Sequence, residues 1–202
     1  YGDAFEMKKT AKGGKDKIVG GADNDTLVGD ADTMNGRAKG GNDVLKGGDG
    51  NDTITVAAVS NGAGWSNRFD LRTGAGDDVV VFDGASNGLS ELYFDGGTGT
   101  DTVHLTGPGL GFDLTTGQVE FVGVERVDIS GAGNATITVS GDLFDGLAAF
   151  TNALTETANT LVIDGDDGDT LDLQGDDWTQ LLDPERIDGQ NYAIYEHADG
   201  MR

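Results

Sequence analysis

The sequence predicts an all-β chain: a calcium-bound parallel β-roll running on into a β-helix, with one flanking helix and a C-terminal hairpin cap. Three observations predict it. Glycines and aspartates recur on a nine-residue beat, and each beat ends on Ile, Leu or Val. Glycine is abundant, 35 of 202 residues, and proline nearly absent at 2, as tight stacked turns require. Elsewhere, short apolar runs alternate with glycine-rich turns, the pattern of short strands.

The clearest beat is GGDGNDTIT at 47–55. It fits Gly-Gly-x-Gly-x-Asp-x-U-x, with U a large apolar residue, the repeat of a calcium-binding parallel β-roll. Gly48 and Gly50 permit left-handed turns that bring main-chain carbonyls together. Asp52 adds a hard oxygen ligand, and Ile54 points into a core. GGADNDTLV at 20–28 keeps Gly21, Asp25 and Leu27. It has Asp23 for the third glycine, a mild loss because aspartate tolerates the left-handed region. KGGKDKIVG keeps Gly14, Asp16 and Ile18, and AKGGNDVLK at 38–46 keeps Gly41, Asp43 and Leu45. GDADTMNG offers Asp32 and Met34, out of phase by two residues. Downstream, TGAGDDVVV at 73–81 supplies Gly76 and Asp78, GGTGTDTVH at 96–104 supplies Gly97, Gly99 and Asp101, and DGDDGDTLD at 164–172 supplies Asp167 and Asp169. Several calcium ions are therefore expected. A flexible Gly/Asp linker would not hold an apolar residue at a fixed offset from each aspartate. With two nonapeptides per coil, Asp25 and Asp43 should stack on one side, and Asp16 and Asp52 toward the other.

Thirty-six acidic residues face 13 basic ones, a formal charge of −23. Such a chain repels itself when compact, and calcium would neutralise part of that charge. The metal-free chain is expected to be largely unfolded, because filling the sites is also folding energy. The charge argues against nucleic acid and anionic membranes as partners. Cysteine is absent, which leaves metal as the staple of an extracellular fold. Weak calcium modules fill outside cells. No signal peptide, transmembrane run or lipidation motif is visible. The chain starts at Tyr1 without an initiator methionine and reads as a monomeric module of a longer secreted protein.

One ligand-binding domain over 1–202 is expected. Residues 1–12, with Phe5 and Met7, enter a dense roll at 13–56, which ends in a strand at 53–60. An interrupted roll follows at 57–105, broken by an insertion at 61–72, with strands at Val79–Phe82 and Glu91–Phe94. Residues 106–160 read as β-helix plus a helix. The strands are FDL, QVEFV, ERVDI and ATITV, and the helix over 142–154 carries an apolar stripe of Leu143, Leu147, Phe150 and Leu154 at helical spacing. A strand at Thr160–Ile163 opens the segment 161–202, which adds a last aspartate-rich turn and a hairpin about Asp188-Gly189. Trp178, Ile187, Tyr192 and Tyr195 close the far end.

The repeats at 13–56, 73–81 and 96–104 resemble those of the repeats-in-toxin (RTX) family. The runs GVERVDISGAGNATITVS and LVIDGDDGDTLDLQGDDWTQ are similar to segments beside calcium regions of large bacterial RTX adhesins. The resemblance implies type I secretion, folding on contact with external calcium, and a place at the bacterial cell surface. The size and the interrupted roll resemble the calcium-dependent peptide-binding domain of such adhesins, which captures the free C-terminus of a partner or host surface protein.

A carboxylate can approach this acidic chain only at a local positive site, either an open calcium ion or an arginine. Both point to the break at 61–72. There Trp65 and Phe69 can stack on a ligand while Arg68 or Arg72 meets its charge, with Tyr93, Asn61 and Asn67 as further candidates. Equally, the aromatics plug the core and the arginines neutralise aspartates. Two other readings stand beside peptide capture: a structural calcium-binding spacer, and a sugar module in which calcium holds vicinal hydroxyls and Trp65 stacks on the ring. An enzyme is not expected. There is no HExxH, GxSxG or cysteine nucleophile, and Arg126 alone is thin support for a polysaccharide lyase. His104 and His197 read as surface or packing residues, since zinc needs three or four convergent ligands. Asp77-Asp78 and Asp176-Asp177 put their side chains on opposite faces and read as turn residues.

Overall fold

The structure is a computed structural model that describes residues 4–7, 14–29, 31–34, 42–57, 68–83, 91–107, 111–140, 151–198 and 202. The described residues build a parallel β-solenoid. One side is a five-stranded sheet of β2 (Lys17–Ala22), β5 (Asp43–Asp49), β7 (Arg68–Ala75), β9 (Glu91–Thr98) and β12 (Val119–Val122). A second side is a six-stranded sheet of β3 (Thr26–Val28), β6 (Thr53–Ala57), β8 (Val79–Asp83), β10 (Thr102–Leu105), β13 (Arg126–Asp128) and β17 (Val162–Asp164). Two smaller parallel sheets form a third side: β1 (Ala4–Met7) with β4 (Ala31–Met34), and β11 (Gly111–Asp113), β14 (Thr136–Ser140) and β18 (Thr170–Gln174). The end is closed by two antiparallel pairs, β19 (Trp178–Gln180) with β22 (Tyr195–His197), and β20 (Glu185–Ile187) with β21 (Gln190–Tyr192). The predicted hairpin turns at Asp188-Gly189, and Trp178 packs on the core.

The coil is longer than two nonapeptides. Lys17 lies beside Val44 and Thr26 beside Thr53, and the first side-chain rungs join residues 27 apart. Later rungs join residues 26, 23 and 24 apart. This corrects the expected stacking: Asp16 lies under Asp43, and Asp25 under Asp52. The reason is the out-of-phase run GDADTMNG. It forms β4 on its own side of the coil, paired 27 residues back with β1, so three repeats complete a circuit.

The apolar residue that ends each motif fills the interior in columns. Leu27, Ile54, Val80, Val103 and Val127 align on the six-stranded side, and Leu45, Leu71, Phe94 and Phe121 align on the five-stranded side. All nine are buried. Phe82, Phe112 and Phe121 interlock edge to face, the arrangement aromatic quadrupoles favour.

The predicted helix over 142–154 is corrected at its end; residues 142–150 lie outside the described residues. Thr151–Asn152 form β15, which pairs antiparallel with β16 (Thr157–Ala158). Asn152 decides this. Its buried amide donates to the carbonyls of Glu125 and Thr160, and its Oδ1 accepts from the N–H groups of Leu154 and Thr155. The side chain thus supplies the hydrogen bonds of a turn in place of those of a helix. Among the described residues there is no helix.

Stacking sets what the turn glycines tolerate. Gly48 has φ +133°, and a Cβ there would run into the Gly21 carbonyl. Gly117 also has positive φ, +66°, but opens on empty space. Gly48→Ala is therefore expected to destabilise by on the order of 3 kcal/mol, through both strain and overpacking, and Gly117→Ala by about 1 kcal/mol. Calcium-loaded urea unfolding of the two variants checks this.

Candidate metal centre

The turns between the two large sheets bring the motif residues into vertical ladders. The longest is Asp25, Asp52, Asp78, Asp101 and Glu125. In each rung the Oδ1 or Oε2 of the upper residue accepts the main-chain N–H of the acidic residue below: Asp25 to Asp52 at 2.8 Å, Asp52 to Asp78 at 2.6 Å, Asp78 to Asp101 at 3.0 Å and Asp101 to Glu125 at 2.7 Å. A second ladder lies on the outer side of the same turns. There Asn24 Oδ1 accepts from Asn51 N–H, Asn51 Oδ1 from Asp77 N–H, and Asp77 Oδ1 from Thr100 N–H. Asp77 and Asp78 thus face opposite ways and serve as turn residues.

One oxygen of Asp52, Asp78 and Asp101 is thereby used by the fold, and the other is not. Oδ2 of Asp25, Asp52, Asp78 and Asp101 is buried and accepts no hydrogen bond, and Asp52, Asp78 and Asp101 are at most 1% exposed. Buried carboxylate oxygens without a partner carry a large desolvation cost. Burial pushes the Asp101 carboxyl up to about 8 and raises Asp78 and Glu125 from the usual carboxylate range. Neighbouring carboxylates add to the rise. The arrangement asks for a cation.

The cradle beside the Asp25, Asp52 and Asp101 oxygens has a constant form. It consists of the first glycine of the motif, the aspartate five residues on, and a carbonyl from the next coil. A Cβ on Gly20 would strike Asp25 Oδ2 and the Gly47 carbonyl. One on Gly47 would strike Asp52 Oδ2 and the Thr73 carbonyl, and one on Gly96 would strike Asp101 Oδ2 and the Gly123 carbonyl. Hard carboxylate and carbonyl oxygens converging on space kept free by glycine suit calcium. Among the described residues no three His, Cys, Asp or Glu side chains converge, so main-chain carbonyls must supply the rest of any coordination shell. Calcium held here would neutralise the inner carboxylates and tie one coil to the next. Glu125 extends the ladder beyond the consensus motif. The signal that finds it is the coil period, since it stands 24 residues after Asp101.

The other predicted ligands divide. Asp16 and Asp43 make a shorter ladder on the opposite edge, with Asp43 Oδ1 accepting from Asp16 N–H at 2.9 Å, and Gly14 is exposed two residues before Asp16. In the next coil Phe69 stands in register with Asp43, so that ladder ends in the apolar column Phe69, Leu92 and Val119. Asp23 takes φ 73° and stacks against Gly50, which in turn lies against Gly76, and Gly76 against Gly99. Gly21, Gly48 and Gly97 form the neighbouring column with Gly74. Asp32 lies on β4, and Gly41 lies outside the described residues. Asp169 differs: its two oxygens accept the N–H groups of Ala135 and Asp166, and Asp167 is exposed. That turn is held by amides.

The predicted ligand-binding residues do not form one pocket. Phe69 is fully buried in the core, which corrects its assignment to ligand stacking: its register places it inward where the aspartate ladder stops. Arg68 pairs with Glu91 at 2.9 Å. Arg72 bonds Asp70 at 2.8 Å and lies 5.4 Å over the Tyr93 ring. Arg68, Arg72 and Tyr93 share the outer face of the five-stranded sheet. Trp65, Asn61 and Asn67 lie outside the described residues. Arg126 is clasped by Asp164 at 3.2 Å and Asp188 at 2.7 Å.

Residues 10–38 and 32–58 match the family described as RTX calcium-binding nonapeptide repeat (4 copies). Comparison with curated proteins and with solved structures finds no match. Repeats of this family are typical of proteins secreted to the exterior. The matched residues contribute the cradles at Gly20 and Gly47, and the same ladder runs on through Asp78 and Asp101 beyond the match. The chain carries an RTX-type calcium-binding domain folded as a parallel β-solenoid.

Proposed function

We propose that this domain is a calcium-dependent binding module of a secreted bacterial adhesin. In this reading it captures the free C-terminal carboxylate of a partner surface protein on the outer face of the five-stranded sheet. The observation that carries the reading is a pair of neighbouring cations on the outer sheet face, set beside Asp70 and Asp95, in a chain of charge −23. Lys46 and Arg72 are direct neighbours across β5 and β7 and alternate outward from the inward Leu45 and Leu71. Arg72 rests on Tyr93, while Val19, 57% exposed, stands beside Lys46 on β2. Asp70 occupies part of the Arg72 guanidinium, whose five donors leave others for a carboxylate. The apolar neighbours suit a terminal side chain. The ions in the ladder hold the sheet that presents this pair.

The test is an array of C-terminal peptides, each as free acid and as amide, probed in excess calcium. Free acids are expected to bind at least tenfold more tightly than amides, worth about 1.4 kcal/mol. Arg72→Glu should remove that preference without altering the calcium-loaded circular dichroism. Binding that survives amidation would sink carboxylate capture, and competition by a simple sugar would replace it with a saccharide ligand.

A further inference from the structure

The column of cradle glycines has one exception. Gly20, Gly47, Thr73, Gly96 and Gly123 follow one another across the five-stranded sheet, each one position before or after a register pair that fixes it. Only Thr73 carries a side chain. It is wholly buried. Its hydroxyl donates to the Gly96 carbonyl at 2.9 Å, and it also lies against the Asp78 carboxylate. In the cradles at Gly20, Gly47 and Gly96 the equivalent space lies between the aspartate Oδ2 and the next coil's carbonyl, and glycine leaves it free. At Thr73 the side chain takes that space, and the hydroxyl already engages the carbonyl that would face an ion.

We infer that Thr73 replaces a calcium ion with a hydroxyl, so that the cradle of Thr73, Asp78 and the Gly96 carbonyl joins its two coils without metal. The ladder would then bind calcium at the Gly20 and Gly47 cradles, skip one coil, and bind again at Gly96. Asp78 keeps its other task, since its Oδ1 accepts the Asp52 N–H. A full consensus aspartate is therefore not by itself a calcium site: the residue five positions earlier decides whether there is room. In the metal-free joint the Asp78 carboxylate keeps the Asp52 N–H as its donor, while the single hydroxyl proton of Thr73 goes to the Gly96 carbonyl.

The test counts bound calcium on the whole chain by equilibrium dialysis and by native mass spectrometry. Asp52→Asn and Asp101→Asn should each lose one ion. Asp78→Asn, which keeps an Oδ1 acceptor for the Asp52 N–H, should bind as many ions as the parent. Thr73→Gly should bind one more. Thr73→Ser retains the hydroxyl and should bind the parental number. Loss of an ion in Asp78→Asn, or a Thr73→Gly variant that folds in calcium yet gains none, would overturn the inference. Because Asp78→Asn and Thr73→Ser alter little of the packing, they decide the question even if Thr73→Gly does not fold.

Discussion

Calcium withdrawal is expected to abolish the solenoid. The inner ladder lines up Asp25, Asp52, Asp78, Asp101 and Glu125 in adjacent coils, and most of its rungs are buried. No hydrogen bond answers the Oδ2 atoms of Asp25, Asp52 and Asp101, the three that calcium would neutralise, and the chain as a whole carries −23. Each site filled at a hundredfold excess over its dissociation constant contributes about 2.7 kcal/mol to the folded state. Two or three such sites match the whole stability of an ordinary domain, about 5–15 kcal/mol. In excess chelator, circular dichroism should lose its β signal and the hydrodynamic radius should rise toward that of an unfolded chain. Millimolar calcium should restore both. A chain equally ordered in chelator would refute the metal-centred account of this fold.

The second large effect concerns pH, and its sign is the reverse of common acid denaturation. In the metal-free chain the Asp101 carboxyl is held near 8 against an unfolded value of 3.8, chiefly by burial and then by neighbouring carboxylates. Asp78 and Glu125 are raised for the same first reason. A raised acid binds its proton more tightly folded than unfolded. Its contribution is therefore fully present below the unfolded value and is lost as pH climbs through the folded one. Calcium-free protein prepared by dialysis should gain order as pH falls from 8 to 5. Calcium-loaded protein should show the opposite trend, because protons compete for the ligand oxygens. Thermal unfolding at pH 8 and pH 5, with and without calcium, reads both slopes. Parallel slopes would show that the buried carboxylates do not govern stability.

The chemistry of each turn was legible in a few consecutive residues. Gly47 to Ile54 names the left-handed glycines, the carboxylate and the inward apolar residue, and all four take those places. Asp23 was likewise readable as a glycine substitute and adopts the left-handed conformation. The antiparallel end hairpin was legible because Asp188-Gly189 favours positive φ at both turn positions, and both have it. The segment at 151–154 was misread because a helical stripe competes with Asn152, whose hydrogen bonds reach Thr160 and also Glu125, 27 residues back and outside any local window.

What remained hidden depends on which coil lies above which. Nine-residue spacing says that turns recur but not how many complete a circuit, and a 27-residue coil pairs Asp25 with Asp52 where an 18-residue coil pairs it with Asp43. The same choice sends Phe69 into the core in register with Asp43, extends the ladder to Glu125, and sets Thr73 in a column of glycines. Local sequence decides the conformation of a turn because φ, ψ and ligand chemistry are properties of adjacent residues. Stacking decides which oxygens meet and which gap is filled, because those distances arise only when parts of the chain some 25 residues apart are laid against each other.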